Sequence, residues 1–338
     1  MMDLLVYIMK EDTMKSQPLS HWGLNTSRLV LGCMGLGGGW NRDPITNEHL
    51  KHAESAVEAA LEAGITMFDH ADIYTMGKAE TVFGQVLKKR PQLRDSIVIQ
   101  SKCGIRFAEG DVPSRYDFSK SHILNAVDGI LQRLGIETLD ILLLHRPDPL
   151  MEPDEVAEAI HSLKSSGKAK RFGVSNMSAG QIRFLQQASS EPIIVNQLEM
   201  SLGHLHWLEQ GILVNQHAGT SVNFAEGLLE FCQTERIQIQ AWSPLARGVF
   251  TGRAADSEPE HIRQTAALVA RLAQQKETTP EAIVLGWLMK HPARIQPVIG
   301  TANPKRIAAC RDAERQAELM TREEWYQLYV SARGANMP

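Results

Sequence analysis

The chain has 338 residues, long enough for one large domain or two ordinary ones with a substantial buried core. Its 43% apolar and 22% charged composition is that of a globular protein, and a net charge of only -4 excludes a general nucleic-acid surface and a polybasic membrane patch. Cys33, Cys103, Cys232 and Cys310 stand far apart with no Cys-x-x-Cys pair, which suits reduced thiols better than a disulfide or zinc framework and predicts a cytoplasmic protein.

Residues 1–16 begin with the apolar run Leu4-Leu-Val-Tyr-Ile-Met9, but no basic region precedes it and Lys10-Glu-Asp12 follows at once. They read as a disordered or extra leader rather than a targeting signal, and no apolar run is long enough to span a bilayer. From 17 to 338 a single domain is expected. A strand at 29–32 leads into Gly35-Leu-Gly-Gly-Gly39, yet no choice of these glycines completes G-x-G-x-x-G, because from Gly35 and Gly37 the third falls on Trp40. The Rossmann fingerprint is therefore absent. Leu50, Ala53, Val57, Ala60 and Leu61 recur at helical spacing over 46–63, and Gly64 ends that helix.

Strands are predicted next at 65–69, 96–101, 139–144, 169–174, 193–197, 237–241 and 296–299. Helices are predicted at 79–89, 120–134, 153–166, 179–188, 222–235, 261–290 and 304–318. Eight strands, each followed by at least one helix and with no Pro/Gly-rich linker, point to an α/β fold of the (β/α)8 TIM barrel type; an open doubly wound sheet is the alternative.

In a barrel the residues just past each strand share one mouth. Here they are Met34 and Gly35, Asp69 and Tyr74, Lys102, His145, Ser175 and Asn176, Gln197, Trp242 and Ser243, and Gly300 and Thr301. Asp, Tyr, Lys and His from three successive strands suit acid–base work assisted by a charge pair. Taken singly, Asp69 reads as a helix cap, Lys102 as a solvated strand end and His145 as a core histidine; together they are hard to dismiss.

Six blocks, Phe68-Asp-His-Ala-Asp-Ile-Tyr74, Ser101-Lys-Cys-Gly104, Leu139-Asp-Ile-Leu-Leu-Leu-His145, Gly173-Val-Ser-Asn176, Asn196-Gln-Leu-Glu199 and Ala241-Trp-Ser-Pro-Leu245, resemble in order and spacing those of the aldo-keto reductases. Ser101-Lys-Cys-Gly-Ile105 and His145-Arg-Pro-Asp-Pro-Leu-Met151 are most similar to the bacterial YdhF-like oxidoreductases of that family. The resemblance covers about residues 17 to 320 and implies an NADP-dependent reductase in which hydride from NADPH reaches an aldehyde or ketone. It implies a catalytic tetrad of Asp69, Tyr74, Lys102 and His145, with Tyr74 as proton donor. A phenol is a poor acid at neutral pH, so Lys102 is expected to lower the Tyr74 pKa while Asp69 holds the lysine. His145 is expected to hydrogen-bond the carbonyl oxygen.

The resemblance further assigns the nicotinamide carboxamide to Ser175, Asn176 and Gln197, and the stacking platform to Trp242, where the family usually carries Tyr. Ser243, Leu245 and Gly248 would approach the pyrophosphate with Arg247 supplying charge, and Gly35 lies on the same rim. Gly300, Thr301 and Arg306, at a helix start, would meet the phosphate of NADP, with Arg306 carrying the preference; Cys310 stands where many relatives have an adenine-contacting Asn. The substrate pocket is expected from Trp40, the 103–118 loop with Arg106, Phe107, Arg115 and Tyr116, and the 200–221 segment with Leu202, His204, His206 and Trp207. His204-x-His206 lacks further ligands at metal spacing, so no metal is expected. The expected partner is a small carbonyl compound, with neither nucleic acid nor membrane, and no oligomeric partner is indicated. A different class, a cofactor-binding regulatory or sensor subunit with little turnover, as among potassium-channel β subunits, is the alternative.

Overall fold

A computed structural model describes residues 17–338; residues 1–16, expected to be a leader, lie outside the described residues. Eight parallel strands close a barrel in sequence order: β1 (Val30–Gly32), β2 (Met67–Asp69), β3 (Val98–Cys103), β4 (Leu139–Leu144), β5 (Ala169–Ser175), β6 (Ile193–Glu199), β7 (Gln238–Trp242) and β8 (Gln296–Ile299), with β8 pairing back to β1. The fold is a single (β/α)8 barrel. Its strands read as continuous apolar runs because helices cover them outside and side chains fill them inside.

The interior is layered. Val30, Met67, Ile141, Leu143, Val195 and Val298 form an apolar floor, sealed from below by Leu19 and Trp22. Leu19 belongs to the short helix Pro18–His21 and is fully buried, which contributes roughly 2–3 kcal/mol. Above the floor the inward positions turn polar: Asp69 lies level with Gln100, and Gln197 is level with Gln240, which is level with Gln296. The register between β5 and β6 shifts at Phe172 to Val174. Gly173 sits in that shift because a Cβ there would stand 2.5 Å from Leu143 Cδ2 and 2.9 Å from Val195 Cβ.

Several boundaries differ from the periodicity. The third strand runs 98–103 instead of 96–101, so Lys102 lies inside it. Ser175, Gln197 and Trp242 also fall within their strands. The segment 261–290 is two helices, Glu260–Gln275 and Pro280–Lys290. Glu277 takes a left-handed φ of 51°, and Thr279 caps the second helix ahead of Pro280. The segment 304–318 likewise divides into Pro304–Ala309 and Ala313–Leu319, and 222–235 shrinks to Leu228–Thr234. The 103–118 loop contains a two-stranded hairpin pairing Ile105–Arg106 with Arg115–Tyr116, and the 200–221 segment a helix, His206–Ile212. A further helix, Arg322–Arg333, lies beyond the expected elements. No helix of the described residues is long and apolar enough to cross a membrane.

Candidate active site

Strand β2 ends at Asp69, and the chain then folds back over the barrel mouth. Thr75 and Met76 both take left-handed conformations, φ 48° and 61°, each costing about 1–3 kcal/mol for a non-glycine residue. The Thr75 hydroxyl, donating to the Leu36 carbonyl at 2.9 Å, ties this bend to the β1 loop. The bend carries the phenol of Tyr74 back over β3.

There Lys102, wholly buried, donates to Asp69 Oδ2 at 2.7 Å, to the His70 carbonyl at 2.9 Å and to the Tyr74 hydroxyl at 2.9 Å. An ammonium has three hydrogens, so every one is committed. The Tyr74 oxygen therefore accepts from Lys102, which leaves its own proton free to be given away. The His145 ring stands edge-on to Tyr74, centroids 6.0 Å apart, and the His145 amide is anchored on the Cys103 carbonyl at 2.9 Å. All four residues expected as the tetrad thus meet at one place.

Their protonation follows from burial and neighbours. Burial raises the Tyr74 phenol, and this outweighs the opposing pull of the Lys102 ammonium. That differs from the expectation that Lys102 would lower the phenol below its ordinary value: the phenol keeps its proton through neutral pH. Burial by itself would lower Lys102, but Asp69 and Tyr74 reverse this and hold it above the ordinary lysine value. Burial, then Lys102 and Arg146, pushes His145 well below the histidine range, so its imidazole is neutral. Burial also raises the carboxyl of Asp72 to about 7.

The residues assigned to the nicotinamide seat are linked to one another. Trp242 Nε1 donates to Asn176 Oδ1 at 3.1 Å, Asn176 Nδ2 to Ser175 Oγ at 2.7 Å, and Ser175 Oγ to the Gln197 carbonyl at 3.0 Å. Tyrosine in place of Trp242 has no ring N–H to make the first of these bonds. Gln197 Nε2 points inward, toward Asp69 Oδ1 at 3.2 Å and Gln240 Oε1 at 3.0 Å. Arg146 lies over the Trp242 ring, 5.6 Å from its centroid.

Beyond β7, Ser243, Ala246, Arg247 and Gly248 all have positive φ, and Leu245 is half-buried. A Cβ at Gly248 (φ 88°) would stand 2.9 Å from Arg253 Cδ and 3.3 Å from the Arg306 guanidinium, so two arginines from different segments converge there. Sequence reasoning misses Arg253, whose only signal is a cation five residues past Gly248. Gly35 sits on the same rim, where a Cβ would stand 3.6 Å from Ala302, beside exposed Gly300 and half-buried Thr301. The backbone amides of Lys305 and Arg306 are taken by Asn303 Oδ1 at 3.0 and 3.3 Å. The helix start therefore offers side chains more than free amides. Cys310 does not face a ligand: it is buried, with its thiol on the Arg306 carbonyl at 3.2 Å.

The expected substrate residues divide. Trp40 is 49% exposed and meets Tyr74 edge-on at 6.4 Å, so it lies at the mouth. Phe107 lines a cavity of about 720 Å³ with Asp72, Met76 and Arg133, between the helices Lys78–Lys89 and Lys120–Leu134. Arg106 is held by Asp117 at 2.9 Å and Glu109 at 3.4 Å within its own hairpin. Leu202 and Trp207 are corrected to core residues: both are buried, and Trp207 packs on Trp287 and His291. The His204 and His206 rings are 5.5 Å apart, and among the described residues no group of three or more metal-binding side chains assembles.

The 6-dehydroglucose reductase of Agrobacterium fabrum is 36% identical to this chain, over 92% of it and 96% of that protein. The oxidoreductase YdhF of Escherichia coli is 34% identical, over 86% of this chain and 91% of its own. Among solved structures, the glycerol dehydrogenase AKR11B4 from Gluconobacter oxydans shares the fold with a TM-score of 0.72 at 19% identity, covering 93% of this chain and 94% of that one. The family model described as the aldo/keto reductase family matches residues 28–327. With that match and with oxidoreductase relatives above 30% identity along most of its length, the chain belongs to the aldo/keto reductase family.

Proposed function

We propose that this oxidoreductase reduces an aldehyde or ketone to the alcohol with NADPH, and that Tyr74 delivers the proton. The observation that carries the reading is the commitment of all three Lys102 hydrogens, which turns the Tyr74 proton outward. A bound reduced nicotinamide supplies the hydride. As negative charge develops on the carbonyl oxygen, the Tyr74 O–H and the neutral His145 imidazole meet it from two sides. The proton leaving Tyr74 creates a phenolate beside an ammonium that is already in place. Lys102 therefore helps the transition state more than the ground state, which is the condition for raising turnover.

The cofactor fits the residues present. Ser175, Asn176 and Gln197 offer oriented amide and hydroxyl groups for a carboxamide, and the indole of Trp242 a stacking face. The turn at Gly248 with Arg253 and Arg306 has the charge and close backbone approach that a phosphate needs. Arg306 supports NADP over NAD. Residues 17–338 act in this reading as one reductase domain, with 1–16 a leader outside it.

The test is consumption of NADPH and NADH with a panel of small aldehydes, ketones, dicarbonyls and aldehydo-sugars, the last included because a relative is named 6-dehydroglucose reductase. Stoichiometric alcohol formation with NADPH preferred is expected. Tight cofactor binding without consumption on any member would overturn the reading in favour of a binding or sensing role.

A further inference from the structure

The barrel interior beneath the tetrad holds a feature that carbonyl reduction does not by itself require: four glutamines from four strands, all buried, joined in one chain of hydrogen bonds. Gln296 Nε2 donates to the Ser27 carbonyl at 2.7 Å and to Thr26 Oγ1 at 3.2 Å. Gln240 Nε2 donates to Gln296 Oε1 at 3.0 Å. Gln240 Oε1 accepts from Gln100 Nε2 at 2.9 Å and from Gln197 Nε2 at 3.0 Å. Both of those nitrogens also donate to Asp69 Oδ1, at 2.6 and 3.2 Å. Gln100, Gln240 and Gln296 are each 0% exposed.

The direction of every amide in this ladder is fixed from its ends. The Ser27 carbonyl can only accept, so Gln296 must turn its nitrogen down and its oxygen up. Gln240 must then present nitrogen below and oxygen above. That leaves Gln100 and Gln197 no choice but to present nitrogen, and the second hydrogen of each falls on Asp69. Gln100 Oε1 is left buried without a partner, an arrangement that costs about 1–3 kcal/mol and that a flip of this amide would relieve only by turning its oxygen onto the carboxylate.

From this geometry we infer that Gln240, locked by Gln296, is a positioning residue: it fixes two donors on Asp69 Oδ1 so that the carboxylate turns Oδ2 to Lys102, and it ties the cofactor seat at Gln197 to the proton-delivery pair. The inference rests on the reading of Tyr74 as proton donor, but its first test does not need turnover. The charged and titratable groups facing Tyr74 are Lys102, Asp69, Cys33 and His145. Of these Asp69 and, to a smaller extent, Cys33 raise the phenol, and two hydrogen bonds on Asp69 spread its charge and weaken its push.

Ultraviolet difference titration of tyrosinate, with Tyr74→Phe subtracted to isolate this phenol, reads the effect directly. Gln240→Leu is expected to move Tyr74 ionisation upward by roughly one unit, a tenfold lower ionisation constant. The double variant Gln240→Leu/Gln296→Leu removes both partners of the lower rung, leaves no orphaned amide between them, and should fold and show the same upward shift. With a reducible aldehyde, kcat should fall about tenfold with little change in its KM, and the alkaline limb should follow the titration. An unmoved Tyr74 titration in the folded double variant would make the ladder merely structural and overturn the inference. A wild-type protein that binds NADPH but never consumes it would instead defeat the reductase reading while leaving the titration result standing.

Discussion

Replacing Lys102 by Met removes the ammonium and keeps most of its volume. Two losses follow, and they separate. Catalysis loses the charged donor 2.9 Å from the Tyr74 oxygen. One preorganised donor to a developing anion is worth about 2.7–4 kcal/mol, so kcat should fall on the order of 10²–10³-fold. Stability loses the buried ion pair in which Lys102 Nζ lies 2.7 Å from Asp69 Oδ2, with side chains 0% and 3% exposed. Leaving that carboxylate buried and unpaired costs about 3–5 kcal/mol. Adding Asp69→Asn removes the orphaned charge, while the Asn oxygen can still accept from Gln100 and Gln197. The double variant should therefore regain most of the stability and none of the activity. Urea unfolding gives the first quantity and NADPH absorbance with a reactive aldehyde the second. If Lys102→Met kept kcat within a few-fold of wild type, or if activity returned together with stability in the double variant, the role given to Lys102 would be wrong.

Trp242→Phe keeps a ring but deletes the N–H that holds Asn176 Oδ1. Cofactor affinity by fluorescence titration should fall about tenfold, with Trp242→Tyr no better, since neither ring carries the indole donor. Arg306→Ala and Arg253→Ala should each weaken NADPH binding more than NADH binding; equal loss for both nucleotides would remove the phosphate role. His70 is fully buried with both ring nitrogens unpartnered, and burial, then Lys102, holds its pKa down at about 3. Below its ordinary value of 6.5 the unfolded chain takes up a proton that the folded ring refuses, so stability is lost as pH falls toward 3. Between 6.5 and about 5 this ring alone costs ~2 kcal/mol. His70→Leu should therefore be close to neutral at pH 7 and flatten the acid side of a urea-unfolding series; an unchanged acid slope would contradict it.

The eight strands and their order were legible in the sequence, because a parallel barrel writes each strand as an apolar run bounded by polar residues. The clustering of Asp69, Tyr74, Lys102 and His145 was legible in part for the same reason, since Asp69 ends its strand and His145 directly follows one, whereas Lys102 lies one residue inside its strand. The break between Gln275 and Pro280 did leave a signal, the wholly polar run Gln274 to Thr279 ahead of the helix-start pair Thr279-Pro280, but apolar residues at helical spacing on both sides of it made 261–290 read as one segment. Trp207 looked like a pocket aromatic and is core, because one aromatic in a loop carries no periodicity to say which way it points. The glutamine ladder left a trace: Gln100 and Gln240 follow Ile99 and Ile239 within their strands, and Gln296 opens the strand that continues to Val298 and Ile299. Only the register of neighbouring strands brings them level, and single runs do not encode it. The balance at Tyr74 also escaped, since charge pairing can be read from residue types whereas burial cannot.

The proton-donor assignment is tested most directly by Tyr74→Phe. The phenol lies in the proton-delivery pair and outside the residues assigned to the cofactor, so the NADPH dissociation constant should stay at the wild-type value. Turnover of a reactive aldehyde should drop by about 10²–10⁴-fold, the share that a positioned general acid contributes. A Tyr74→Phe protein that binds NADPH normally and reduces the aldehyde at the wild-type rate would contradict the account at its centre.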